Sequence, residues 1–100
     1  MQSSHQPLEK QLLSRLFLQL KKHEFDSCML TFAQLIQAVN TAHSDQKIDD
    51  NLRKNYYRTL YRSIANFTKK EKLPNITDKA TAFLSISLVQ LDLFLGKLKE

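Results

Sequence analysis

The stretch Ala80 to Leu98, ATAFLSISLVQLDLFLGKL, constrains this chain more than any other. Spaced at about 100° per residue, Ala80, Phe83, Leu84, Leu88, Leu91, Phe94, Leu95 and Leu98 form one broad apolar stripe, as a core-facing helix requires. A second stripe, Ala82, Ile86, Val89 and Leu93, recurs at i, i+4, i+7 and i+11 on roughly the opposite face. One neighbouring layer cannot cover both. Either the other helices surround this one, or it keeps an exposed strip for a partner, since monomers seldom leave large apolar patches bare. Leu84, Ile86 and Leu88 also alternate with Ser85 and Ser87 in a strand's period of two. The run is too long for an ordinary strand, however, and helix-start signals precede it.

The rest of the chain is built from the same material. One Gly and two Pro among 100 residues leave a hairpin-rich β fold without its turn residues, while Leu, Lys, Gln and Ala favour helices. A chain of this length makes one domain, residues 1–100, able to bury roughly two-thirds of its unfolded surface around one core. The single cysteine, Cys28, forms no internal disulfide and reads as a buried structural thiol. No secretory signal pattern opens the sequence and no apolar run is long enough to cross a bilayer, so the expectation is a soluble, cytoplasmic protein. A net charge of +5 allows nucleic acid, an anionic membrane surface or an acidic protein as partner, and charge alone does not rank them.

Four helical segments follow in order. In the first, Ser3 or Ser4 offers a cap, Pro7 fits the first turn, and Leu8, Leu12, Leu13, Leu16 and Leu20 make a core face. Glu9, Lys10, Gln11, Arg15 and Gln19 are left for water, and Lys21, Lys22 and His23 close the helix near its negative dipole end. The second is capped by Asp26 or Ser27 and carries Phe25, Met29, Phe32, Ala33, Ile36 and Val39 on its stripe. Leu30 and Leu35 fall off that stripe and read as exposed or flanking residues. A polar loop, SDQKIDD, leads to Asp49 and Asp50, which suit a helix N-terminus better than a metal site.

The third segment, Asp50 to about Lys70, is strongly two-faced. Leu52, Tyr56, Leu60, Ile64 and Phe67 form its inner stripe, widened by Tyr57 and Tyr61. Lys54, Arg58 and Arg62 recur every four residues on the far side, and Lys69, Lys70 and Lys72 continue the basic character. Pro74 ends this segment, and Thr77 with Asp78 offers the start of the fourth. Asn75-Ile76-Thr77 is a chance match to a glycosylation sequon in a chain without a secretory signal.

Catalytic patterns are missing. His5, His23 and His43 sit near different segment ends without zinc-type partners, no glycine-rich phosphate loop occurs, and no nucleophile elbow or paired-carboxylate spacing is present. The residues read as a binding protein, not an enzyme, with no cofactor.

The order of elements, an amphipathic helix ending in QLKKHE, a second helix, a polar loop, a Tyr- and Arg-bearing helix, and a basic KL turn with a Thr before the last helix, resembles the immunity proteins of pediocin-like bacteriocins. The matching segments are Leu20, Lys21, Lys22 and His23, then Lys72, Leu73 and Thr77, within a similarity spanning roughly residues 8 to 95. Pro74 and Asn75 lengthen the turn before Thr77. The resemblance implies an antiparallel four-helix bundle in the cytosol that protects its producer by engaging the bacteriocin-bound mannose-phosphotransferase permease from inside, without catalysis. The residues themselves nominate Lys54, Arg58, Arg62 and Lys69 as a basic patch and Ile86, Val89 and Leu93 as an apolar partner strip. A small basic helical subunit holding nucleic-acid phosphates through those four cations is the alternative, and an oligomerising module a third.

Overall fold

In the computed structural model, which describes residues 6–71 and 78–97, the chain forms α1 (Leu8–Lys21), α2 (Phe25–Ser44), α3 (Asp50–Glu71) and α4 (Asp78–Lys97). The fold is an all-α antiparallel four-helix bundle, with no strand among the described residues. Aromatic contacts fix its directions. Tyr57, early in α3, meets Phe94, late in α4, with ring centroids 5.2 Å apart, while Phe25 at the start of α2 meets Phe67 near the end of α3. Phe83 near the start of α4 lies against Phe25 and Phe32, at 6.4 Å and 6.1 Å, so α2 and α4 run in the same direction. The pairs α1–α2 and α3–α4 are joined mainly through α2, and α1 has α2 as its principal neighbour. One continuous apolar core links all four helices.

Each boundary has a local cause. Helix α1 begins directly after Pro7, whose carbonyl accepts the N–H groups of Lys10 and Gln11, both at 3.1 Å. The expected serine caps are therefore replaced by Pro7 at the cap position; Ser3 and Ser4 lie outside the described residues. At its other end His23 takes a left-handed backbone, φ 60°. Its N–H donates to the Leu20 carbonyl, and that of Glu24 donates to Gln19. This is the six-to-one, five-to-two pattern with which helices commonly stop, normally on glycine. The same pattern ends α2, where Gln46 has φ 61°, its N–H donates to His43 O, and that of Lys47 donates to Ala42 O. Two helix stops thus run on non-glycine residues in a chain almost devoid of glycine. Helix α2 starts at Phe25 with Glu24 at the cap and no side-chain cap bond; Asp26 sits within the first turn instead of capping it. Asp49 caps α3 as expected, its Oδ1 accepting the Leu52 N–H at 2.8 Å. His43 Nε2 and Asp50 Oδ1, 2.5 Å apart, tie the end of α2 to the start of α3. The turn region of Lys72, Leu73, Pro74 and Thr77 lies outside the described residues, as does Leu98.

The buried faces follow the apolar stripes with informative departures. Leu12, Leu16, Leu20, Phe32, Val39, Leu60, Ile64, Phe83, Leu84 and Leu91 are buried. Leu35, expected at the margin, is wholly buried because α2 is flanked by α1 on one side and by α3 and α4 on the other, so its buried arc is wider than one stripe. Ala33 is correspondingly exposed. Leu8 and Leu52, assigned to inner stripes, are 58% and 41% exposed, because α1 and α3 do not close on each other at that end of the bundle. Glu9, expected in water, is buried beside that gap, and Gln19 is half-buried with an Oε1 lacking a hydrogen-bond partner. Tyr61 stays at the boundary, 36% exposed.

Candidate partner-binding surface

Two outward faces belong to the α3–α4 hairpin. On α3, Arg58, Arg62 and Lys69 are exposed. Their spacing sets them opposite the buried line of Tyr56, Leu60 and Ile64. Lys54 departs from the expectation: it is half-buried, because at its register it stands toward the flank of the helix and not on the back. Neighbouring Arg53 is also half-buried, with Nη2 3.5 Å from Asp50 Oδ1 and its Nε buried without a hydrogen-bond partner. The α3 surface is thus a short cationic row of three exposed heads with a partly covered fourth at its N-terminal side.

On α4, Ile86, Val89 and Leu93 are 42%, 59% and 59% exposed, and Ala82 beside them is exposed as well. The strip is open because α2 and α3 cover only the face carrying Ala80, Phe83, Leu84, Ser87 and Leu91. Ser87 is the one polar side chain buried on that face, its Oγ donating to the Leu84 carbonyl at 3.4 Å, which satisfies it without a second helix. The helix therefore has two apolar faces, one spent on the core and one unspent.

The remaining reactive groups have structural uses. Cys28 is wholly buried, and burial, with the nearby Glu24 carboxylate adding to it, pushes its thiol up to about 11, which keeps it protonated and unreactive near neutral pH. Tyr57 donates from its hydroxyl to Asn40 Oδ1 at 2.6 Å, and burial raises its pKa despite the opposing effects of Arg53 and that hydrogen bond. His23, expected at the surface, is exposed yet makes ring contacts with Phe25 and Phe67, at 5.7 Å each. Among the described residues no group of His, Cys, Asp or Glu is arranged to hold a metal ion, and no helix is long and apolar enough to cross a membrane.

Two further features escaped sequence reasoning. The His43–Asp50 tie spans a loop with no motif to announce it, and Glu9 is buried by the spacing of α1 and α3, which a one-helix periodicity does not encode. Comparison of the chain with family models, with curated proteins and with solved structures gives no match in any of the three.

Proposed function

We propose that this chain is an immunity protein of the pediocin-like kind, protecting a bacteriocin-producing cell by non-catalytic binding at the cytoplasmic side of the bacteriocin-bound mannose-phosphotransferase permease. The observation that carries the reading is the open apolar strip of Ile86, Val89 and Leu93 on a four-helix bundle whose segments follow the order of that family. A helix presenting anchors at i, i+3 and i+7 suits a hydrophobic groove on a partner. Completing the burial of one such side chain contributes roughly 1 to 2 kcal/mol, so three anchors are enough for a specific contact once association costs are met. Arg58, Arg62 and Lys69 supply attraction toward an anionic leaflet, each on the order of 1 kcal/mol at low ionic strength. The half-buried Lys54 adds less. No step of this activity needs a cofactor or a bond-making residue.

The test is expression in a sensitive bacterium challenged with a panel of pediocin-like peptides. Protection against at least one peptide is expected, and the Ile86→Ser, Leu93→Gln double variant should remain helical yet lose it. Failure to protect against any peptide would sink the reading. Protection by the folded double variant equal to that of the parent would remove the strip from the mechanism.

A further inference from the structure

The exposed strip of α4 has a spacing that reads the same in both directions. Ala82, Ile86, Val89 and Leu93 are separated by four, three and four residues. A two-fold axis at the level of Ser87 and Leu88, beside the outward face of the helix, therefore sets Ala82 against Leu93 of a second copy and Ile86 against Val89 of that copy. Steps of four and three alternate between the two seam positions of a coiled coil, and reversing one helix brings the two kinds together in every layer. Each layer then joins a smaller side chain to a larger one, which keeps the two backbones at a nearly constant distance.

Charge permits the contact on this face. A chain of net charge +5 repels its own copies, and α3 meeting α3 would bring the exposed Arg58, Arg62 and Lys69 together with their like. From Thr81 to Gly96, α4 carries one charge, Asp92. The axis holds the two copies of Asp92 nine residues apart along the seam, about 14 Å, where salt screens them.

Gly96 is an independent mark on the same face. It is the chain's single glycine, yet no left-handed backbone calls for it, since the two left-handed positions are His23 and Gln46. A Cβ there would meet nothing within 4 Å, so packing inside the bundle does not call for it either. Glycine weakens a helix relative to alanine. It follows Leu93 by three residues, the next seam position, where a missing side chain lets a second backbone come close.

We infer that α4 pairs antiparallel with α4 of a second copy of this chain in a reversible homodimer. The strip is about 24 Å long and one helix wide, so the contact falls below the roughly 1,200 Å² from which stable complexes begin, and the dissociation constant should be on the order of 100 µM. Self-pairing needs no permease and does not rest on the function proposed above; where both hold, the two contacts compete for one strip.

The test is cross-linking of the full-length protein. Ala82→Cys and Leu93→Cys, both on the exposed face, are made singly, then treated with a short bismaleimide alone and as a mixture. The parent is the control for Cys28, which is wholly buried. The mixture should give cross-linked dimer and each variant alone little or none, because like positions stand eleven residues apart, about 16 Å along the seam. Sedimentation of the parent between about 10 µM and about 1 mM should show the mass rising from monomer toward dimer, while the Ile86→Ser, Leu93→Gln variant stays monomeric throughout. A parent that is monomeric at the highest concentration, no cross-link in the mixture, equal yields from like positions, or undiminished association of the double variant would each overturn the inference. These readouts use purified protein alone, so their failure leaves the protection assay untouched, and failure of protection leaves the dimer standing.

Discussion

Phe83→Ala should be the most damaging single truncation in this chain. Phe83 is wholly buried near the start of α4 and lies against Phe25 and Phe32 of α2, the helix through which α1 is connected to the α3–α4 hairpin. Removing a buried phenyl ring costs about 3 to 5 kcal/mol in lost transfer energy and residual cavity. The upper half of that range applies here, because the two ring pairs at 6.4 Å and 6.1 Å are lost together and the flanking rings belong to a helix fixed on its other side by α1. Domains of this size are stable by about 5 to 15 kcal/mol, so the variant would lose from about a third of its stability to nearly all of it. At about 4 to 8 °C per kcal/mol, the melting temperature should fall by at least about 15 °C. The assay is urea unfolding followed by far-ultraviolet circular dichroism, with Ile86→Ala as the outward-facing control on the same helix, expected to lose under about 1 kcal/mol. A loss below about 1.5 kcal/mol for Phe83→Ala, or equal losses for the two variants, would mean that the ring does not join the two helix pairs and that the core is arranged otherwise.

Gln46→Gly should raise the urea midpoint, with a net gain of roughly 0.5 to 1 kcal/mol, because relief of the left-handed backbone at φ 61° outweighs the entropy that glycine adds to the unfolded chain. His23→Gly, at almost the same φ, should lower the midpoint, since it also deletes the ring contacts with Phe25 and Phe67; a rise for both variants would show that those contacts contribute less than the backbone relief. Replacing Lys54, Arg58 and Arg62 together by Gln should keep the helix content and weaken binding to vesicles containing anionic lipid by one to two orders of magnitude at low salt, and undiminished vesicle binding would reduce the row to a solvated face. The parent protein should show no useful affinity for duplex DNA; a steep salt dependence, with a log–log slope near 0.9 per neutralised phosphate, would instead favour the nucleic-acid reading.

Much of the fold was legible because period and burial agree wherever a helix is covered from one side. The four segments, the Asp49 cap and the closure of α1 by Lys21, Lys22 and His23 could be read from spacing and charge alone. The misses have two tertiary causes. Leu35 lies off the stripe of α2 yet is buried, and Ala33 lies on it yet is exposed, because α2 has neighbours on two sides. Helical periodicity reports one buried direction well, but two overlapping directions blur into a wide arc whose centre belongs to neither. Leu8, Glu9 and Leu52 fail for the opposite reason: the facing helix stands off, and no pattern within α1 or α3 encodes that separation.

The same distinction explains why the candidate surface was largely visible in the sequence and the gap between α1 and α3 was not. On α4 the strip of Ile86, Val89 and Leu93 is a property of one helix: two apolar faces exceed what neighbours on one side can cover, so the excess could be counted before any packing was known. The cationic row on α3 was equally local, and only Lys54 needed tertiary information, since its half-burial depends on where the flank of α3 meets its surroundings. A gap is different, because it exists only as a distance between elements, and its residues read individually as ordinary: two leucines on a stripe, a glutamate among polar neighbours, a tyrosine in the core. What marks three of them jointly is that Leu8, Leu52 and Glu9 each depart from expectation in the direction the gap demands, the leucines toward exposure and the acid toward burial. Opposite errors clustered at one end of a bundle are therefore a signal in themselves, and here they meet at Glu9.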